Sequence, residues 1–193
     1  MNEHATADRS AWPRYTLVHR VLHWIIAVLV LLALALGGTI GYLGFEGLRA
    51  SFDAAGADFV YTAHKTLGVL ILVFMALRVV TRLAFGKPDY TTTLPAFQRF
   101  MSRLVHGLLY VLLLAMPVIG WLATASGGFP VHLFHIELPG LVDRNEALSG
   151  TLFLWHRYLA WTLLGLVVVH VGAALYHWRI RRDGVMQRMS LLR

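Results

Sequence analysis

The sequence predicts an all-α membrane protein, in which a single domain over residues 1–193 forms a bundle of four transmembrane helices. Two observations predict this class. The chain is 58% hydrophobic and only 14% charged, with a mean hydropathy of +0.63, and such values are typical of membrane proteins. Four apolar runs are also long enough to cross the roughly 30 Å hydrocarbon core of a bilayer. They lie at about residues 21–43, 59–81, 104–125 and 152–178.

Charges and helix breakers define the individual spans. The first span continues beyond Val21 for more than twenty residues without a small-residue cleavage site, which favours a span over a secretory signal. The uncharged centre of the second span, between Lys65 and Arg78, is short, but both side chains can extend it by snorkelling. The third span contains Pro117, which predicts a kink. A loop rich in glycine and proline, residues 126–150, precedes the fourth span.

Loop charge predicts the orientation. The first tail, the second loop and the last tail, counted with the span ends beside them, carry thirteen basic and four acidic residues, whereas the other face carries four basic and six acidic residues. Because positively charged loops stay in the cytoplasm, we expect a multi-pass membrane protein with both termini inside. The formal net charge of +7 then reflects topology, and nucleic-acid binding is the weaker explanation of it.

Four histidines within the apolar runs are candidate metal ligands. His156 and His170 are fourteen residues apart in the fourth span, which is about 21 Å along a helix, so their imidazoles project from one face at two depths. The predicted orientation places His23 beside His170 at an inner level and His64 beside His156 at an outer level. Ionisable side chains inside a span are costly and are usually retained for a ligand, an ion path or a redox centre.

The absence of cysteine narrows the chemistry of these histidines. It excludes thiolate-held iron–sulfur clusters, covalent c-type haem and disulfides, so any metal chemistry depends on histidine. Two neutral imidazoles on opposite sides of a porphyrin give a haem suited to electron transfer.

Glycine spacing agrees with bound haem. Gly37 follows His23 by fourteen residues, Gly120 follows His106 by the same interval, and Gly68 lies one turn after the histidine of the second span. A flat macrocycle needs such room between helices. Close helix packing is an equally good explanation for any one of these glycines.

Four segments together resemble the bacterial cytochrome b561 family of four-helix di-haem membrane proteins. They are HRVLHW, AHKTLGVLILVFMALRVVTRL, HGLLYVLLLAMPVIGW and WHRYLAWTLLGLVVVHVGAALYHW, and the resemblance extends from about Arg14 to Leu192. It implies one haem b ligated by His23 and His170 inside and another ligated by His64 and His156 outside.

The resemblance leaves two functions open. Some family members oxidise superoxide and pass the electron to ubiquinone, and we prefer this superoxide:ubiquinone oxidoreductase activity, although whether the chain is an enzyme stays open. The rival is a membrane subunit that carries electrons between a docked dehydrogenase and the quinone pool. A transporter with a histidine proton relay is disfavoured, because two pairs at matched depths exceed what a relay needs. The expected partners are membrane lipid, quinone and either superoxide or a redox protein, and a homodimer is left open.

Four further residues are candidates for substrate contact. Lys65 and Arg157 directly follow the two outer histidines and could draw a small anion such as superoxide toward that level, neutralise haem propionates or contact lipid phosphate. His106 and His177 lie near the inner side, where each could contact a propionate, protonate quinone or face headgroups.

The remaining aromatic and basic residues have simpler predicted roles. His19 is expected to be interfacial, and His132 and His135 have a spacing that could bind a metal but lack a further ligand. Candidate inner propionate partners are Arg20, Arg78 and Arg82, although positive-inside anchoring also explains them. The predicted interfacial belt comprises Trp12, Trp24, Trp121, Trp155, Trp161 and Trp178.

Overall fold

Three long helices form most of the protein. The computed structural model describes residues 13–86, 88 and 94–192; Trp12 and the polar tail before it lie outside the described residues. The helices are α1 Leu17–Phe85, α2 Ala96–Ser126 and α3 Glu146–Tyr176, and a π-helical turn, His177–Arg181, extends α3. All three are long and apolar enough to cross a membrane. The protein is therefore a mostly helical membrane protein.

Helix α1 is interrupted at two residues with positive φ. Gly44 has φ 65° and ψ −176°, and Asp53 has φ 62° and ψ −174°. The first position suits glycine, and aspartate is one of the few other residues that tolerate such φ values. The Oδ1 atom of Asp53 also accepts a hydrogen bond from the Gly56 amide at 2.9 Å, which caps the helix that follows. We call residues 17–43 the first arm of α1 and residues 54–85 its second arm.

The two arms of α1 lie side by side. Ile26 and Val30 of the first arm form one buried cluster with Ile71 and Met75 of the second arm, and Met75 is only 1% exposed. A second cluster, formed by Leu112, Met116 and Leu163, joins α2 to α3. Outward side chains are large and apolar, such as Trp161 at 69% exposure. A narrow core with an apolar exterior is the arrangement expected where lipid is the solvent.

The helices are longer than the predicted spans because they include polar residues beyond the ends of the apolar runs. The side chain of Asn145 accepts a hydrogen bond from the Leu148 amide at 3.0 Å and so caps α3 several residues before the apolar run. Helix α2 likewise begins at Ala96, and it continues past Pro117.

The loop between α2 and α3 contains two short strands that the prediction of an all-α protein did not include. Strands β1 (Val131–Leu133) and β2 (Ile136–Leu138) pair antiparallel there in a short hairpin. Their turn, residues 134–135, contains no glycine or asparagine, although Phe134 has a φ of 55°. The hairpin therefore lacks the sequence signal that usually reveals such a turn.

The hairpin is tied to the second arm of α1 by three hydrogen bonds. The hydroxyl of Thr66 donates to the His132 carbonyl and accepts from the Phe134 amide, each at 3.3 Å. The Lys65 ammonium donates to the Pro130 carbonyl at 2.8 Å. This segment therefore covers the end of the bundle that carries His64.

The opposite end is closed by residues 188–192, which we call the C-terminal clasp. Its backbone carbonyls accept hydrogen bonds from donors near the start of the chain. Trp24 Nε1 donates to the Met189 carbonyl at 2.9 Å, and Arg20 donates to the Ser190 carbonyl at 2.8 Å. The other donors are the Tyr15 amide, to Arg188, and the Arg14 guanidinium, to Ser190 and Leu192.

Candidate functional site

Two pairs of histidines meet between the helices, one at each level. We keep the names inner and outer for the two levels as loop charge predicts them. At the inner level, His23 of the first arm and His170 of α3 have ring centroids 6.1 Å apart and planes at 79°. At the outer level, His64 of the second arm and His156 of α3 have centroids 6.2 Å apart and planes at 83°. The structure thus brings together the same pairs that depth in the membrane predicts.

The separations fit two imidazoles bound to one iron. An imidazole nitrogen binds a metal ion at about 2.0 Å, and it lies about 1.1 Å from the centroid of a ring whose bonds are about 1.33 Å long. Two rings on opposite sides of an iron therefore have centroids about 6.2 Å apart. Nearly perpendicular ring planes are compatible with this arrangement, because each ring can rotate about its metal–nitrogen bond.

A backbone contact fixes the tautomer of His64. Its Nδ1 atom lies 3.1 Å from the Ala33 carbonyl oxygen, which can only accept a hydrogen bond. Nδ1 therefore carries the proton, and Nε2 remains as the metal-binding nitrogen. Such an outer partner is the usual way in which proteins orient a ligating histidine.

Two of the predicted glycines make room for imidazole rings. A Cβ atom at Gly37 would lie 2.8 Å from Cε1 of His64, and one at Gly120 would lie 3.0 Å from Cε1 of His156. Gly37 and Gly120 therefore face the outer histidines themselves, in addition to any room that a macrocycle needs. Around Gly68 nothing lies within 4 Å, so it has no comparable contact.

A third imidazole, His106 of α2, lies beside the inner pair. Its centroid is 5.1 Å from that of His170, which is about 1 Å too short for two ligands on one iron. Its Nδ1 atom donates to the Ser102 carbonyl at 2.6 Å. His23 is therefore the better geometric partner of His170, and His106 keeps Nε2 for another contact.

The family follows from comparison of the whole chain. A family model described as prokaryotic cytochrome b561 matches residues 14–190. The chain belongs to the prokaryotic cytochrome b561 family. This membership implies haem b binding and electron transfer in a membrane.

Individual relatives of known name are distant but match almost from end to end. Cytochrome b561 homolog 2 of Escherichia coli is 27% identical over 177 residues, which cover 91% of this chain and 90% of the relative. A probable superoxide oxidase CybB of Yersinia pestis is 24% identical over 176 residues, covering 91% and 95%. Cytochrome b562 of Cereibacter sphaeroides is 28% identical over 177 residues, covering 92% and 95%.

One buried cation in this cytochrome b561 lies near the inner pair. Arg78 of the second arm is only 9% exposed, and its guanidinium donates to the backbone carbonyl of His19 at 2.9 Å. The guanidinium lies 5.9 Å from the ring centroid of Tyr110, and the His19 carbonyl that it binds is one helical turn before His23. Sequence alone suggested only a propionate partner or a membrane anchor.

His19, which was predicted to be interfacial, is buried within the protein. It is 2% exposed, its Nδ1 atom lies 2.7 Å from the Thr16 hydroxyl, and Phe85 packs against its ring. The second arm continues past the apolar run far enough for Phe85 to cover it, which the span prediction did not include.

The four candidates for substrate contact differ in how firmly contacts within the protein fix their side chains. His177 lies 2.7 Å from a carboxylate oxygen of Asp183 in a mostly buried pair, whereas His106 is exposed. Lys65 is bound to the hairpin, whereas Arg157 is exposed and its guanidinium lies 6.0 Å from the Tyr158 ring.

Other predicted contacts have found protein partners. Arg82 donates to the Tyr15 hydroxyl at 3.3 Å, and the indole of Trp121 donates to the Pro139 carbonyl at 3.0 Å. His132 lies in β1 and His135 in the hairpin turn. Within the described parts of the chain, no group of three or more histidine or acidic residues could hold a metal ion.

Proposed function

We propose that this protein is a di-haem b conduit that carries electrons from superoxide on the outer face of the bacterial inner membrane to ubiquinone. The main support is the presence of two imidazole pairs, each at the separation expected for ligands of one iron. His23 and His170 would hold the inner haem, and His64 and His156 the outer one. Haem b, when bound, supplies a one-electron redox couple.

We further infer that the chain crosses the membrane four times within one domain. The first arm alone is roughly 40 Å long at about 1.5 Å per residue, which suffices for one crossing. Two contacts support antiparallel arms, because Arg78 reaches the His19 carbonyl whereas the earlier His64 contacts the later Ala33 carbonyl. With α2 and α3, the two arms make four spans, and loop charge favours cytoplasmic termini. Each imidazole pair is completed within one chain, so a homodimer is not required and stays open.

Superoxide is the favoured donor for two reasons. A relative with end-to-end similarity carries the name probable superoxide oxidase, and the outer level has two cations beside its histidines. Arg157 is the more available of the two because the Lys65 ammonium already donates to the Pro130 carbonyl. The reaction balances when two superoxide anions become two dioxygen molecules and one ubiquinone takes up two electrons and two protons.

His106 is the better candidate to contact quinone at the inner level. Its Nδ1 donates to the Ser102 carbonyl, so Nε2 can accept a proton from solvent and deliver it. His177 is the weaker candidate, because Asp183 holds it in a mostly buried ion pair.

Spectroscopy tests the cofactor. We expect two haem b groups per purified chain and a b-type α-band in the reduced-minus-oxidised spectrum. A protein that is folded in membranes but lacks this band would eliminate the conduit.

Rapid mixing with superoxide tests the donor. We expect superoxide-driven reduction of ubiquinone, slowed several-fold by Arg157→Gln and less by Lys65→Gln, with the slowing smallest at high salt. Arg144→Gln is the matched control on the same predicted face, where that arginine already pairs with Glu146 at 2.7 Å. An unchanged rate in Arg157→Gln would remove the steering role. If superoxide drives no quinone reduction and a large soluble dehydrogenase copurifies, the membrane-subunit alternative is favoured.

A further inference from the structure

We propose that Arg78 makes the inner haem the electron acceptor of the pair, by raising its reduction potential above that of the outer haem. This inference rests on the proposed di-haem function and adds to it a physical cause for the direction of electron flow, a difference in reduction potential between the two haems. It concerns one residue whose surroundings are unusual for an arginine in a membrane protein.

Within the described residues, Arg78 is a buried cation that forms no ion pair. Its residue is 9% exposed, and its guanidinium donates to the backbone carbonyl of His19. The ion pairs of these residues involve Glu146 or Asp183, and none includes Arg78. Burial keeps most bulk water away from such a charge, so its electrostatic effect on its neighbours is weakly screened.

The inner imidazoles are among those neighbours. Contacts place Arg78 at this level. The His19 carbonyl that binds Arg78 is one helical turn before His23, and Tyr110, whose ring centroid lies 5.9 Å from the guanidinium, is one turn after the third imidazole, which lies beside His170. Reduction of an iron bound between the inner imidazoles adds one negative charge at that place. A fixed cation stabilises the reduced form relative to the oxidised form, so it raises the reduction potential.

The outer level has no equivalent. Among the described residues, the buried cations are Arg78 and Arg188. Arg188 belongs to the C-terminal clasp, at the opposite end of the bundle from His64 and His156. Lys65, the nearest in sequence, directs its ammonium to the Pro130 carbonyl in the hairpin. The two levels therefore share a ligand geometry and differ in fixed charge.

The direction of the effect does not depend on where the haem propionates lie. If a propionate pairs with Arg78, loss of the guanidinium leaves that carboxylate uncompensated and lowers the potential further. If none does, loss of the guanidinium removes a bare positive charge. In both cases, replacement of Arg78 by a neutral residue shifts the inner haem toward its oxidised form.

Potentiometric titration of the purified holoprotein tests the proposal. In Arg78→Gln, at a fixed ambient potential, we expect the ratio of reduced to oxidised inner haem to fall on the order of tenfold, which is 59 mV for a one-electron couple. The outer haem should change less than about threefold. Arg78→Lys keeps the charge and should stay near the wild type. Arg82→Gln is the matched control, because Arg82 lies one turn further along the same arm and contacts Tyr15 instead.

A second measurement needs no change at Arg78. In wild-type protein, the higher-potential wave should be the one that survives in His156→Ala and is lost in His170→Ala. The proposal is overturned if the inner haem has the lower potential, if Arg78→Gln leaves the inner wave in place, or if both waves move equally. Failure of the proposed function looks different, since the wild-type protein would then not contain two haem b groups.

Discussion

The inner and outer levels have nearly the same histidine geometry in different surroundings. Ring centroids are 6.1 Å apart inside and 6.2 Å apart outside. The outer rings are held by small residues and a backbone contact: glycines face both imidazoles, and the Ala33 carbonyl binds His64. The inner rings have a buried guanidinium and a third imidazole beside them. The comparison teaches that ligation and electrostatic environment are specified by different residues.

The two ends are also covered differently. A hairpin within the chain closes the outer end through Lys65 and Thr66, whereas the C-terminal clasp closes the inner end through Trp24 and Arg20. Mutations can therefore alter the access of an electron donor at the outer end and of an electron acceptor at the inner end separately.

Replacement of a histidine ligand should produce the largest difference between the inner and outer levels. We expect His170→Ala and His156→Ala each to reduce bound haem from two groups per chain to one, because each breaks one imidazole pair. His106→Ala should keep both haems, since its 5.1 Å approach to His170 is too short for a shared iron. Haem quantification and the α-band amplitude measure this. Loss of haem in His106→Ala with full retention in His23→Ala would reverse the inner assignment.

Replacement of glycine by alanine beside the outer imidazoles should disturb the outer histidine pair alone. Gly37→Ala and Gly120→Ala place a Cβ atom 2.8 and 3.0 Å from the rings of His64 and His156, at a cost of about 1–3 kcal/mol for overpacking. We expect weaker outer haem retention and an altered low-spin electron paramagnetic resonance signal from that haem.

The control for these glycine variants is Gly68→Ala, because nothing lies within 4 Å of a Cβ atom there. It should retain the wild-type spectrum. Equal effects at Gly68 and Gly120 would mean that helix propensity, and not contact with the imidazole, is responsible.

Loss of the Thr66 hydroxyl should loosen the outer cover. Thr66→Val removes one bond to the His132 carbonyl and leaves the Phe134 amide without its partner, at a cost of about 1–2 kcal/mol. Hydrogen exchange at residues 131–138 should accelerate by roughly five- to thirtyfold, while the inner end stays protected. Thr39→Val, which removes only a bond to Ala35 within its own helix, should leave the hairpin unchanged. Unaltered exchange in Thr66→Val would show that other contacts hold the cover.

Single indole hydrogen bonds should have the smallest effects. Trp24→Phe removes the donor to the Met189 carbonyl, and Trp121→Phe removes the donor to the Pro139 carbonyl. Each should lower the free energy of unfolding by about 1 kcal/mol. We expect Trp24→Phe to perturb the inner haem as well, because its ring lies 5.5 Å from that of His23. Identical haem spectra in both variants would show that the clasp does not influence the ligand.

Sequence predicted the parts of the site that depend on local periodicity. The fourteen-residue interval in α3 sets two depths on one helix face, and it identified which histidines meet. The long apolar runs identified helices α1, α2 and α3, because hydropathy over about twenty residues is a strong signal.

Contacts between distant segments could not be predicted in this way. Burial of His19 depends on Phe85, and the hairpin depends on Thr66, which is 66 residues from His132. The bond of Arg78 to the His19 carbonyl likewise spans 59 residues. No periodicity in the sequence links such partners. The local sequence around an arginine near the end of a span is also the same whether its side chain is buried in the protein or anchored in lipid headgroups.

The C-terminal clasp has a consequence for the order of assembly. Its hydrogen-bond donors include Trp24 and Arg20, which precede the carbonyls that accept from them by 165 and 170 residues. The inner end therefore cannot close before α1, α2 and α3 have all been synthesised. The hairpin and the second arm of α1, by contrast, are both complete before α3 emerges, so the outer cover can form while synthesis continues.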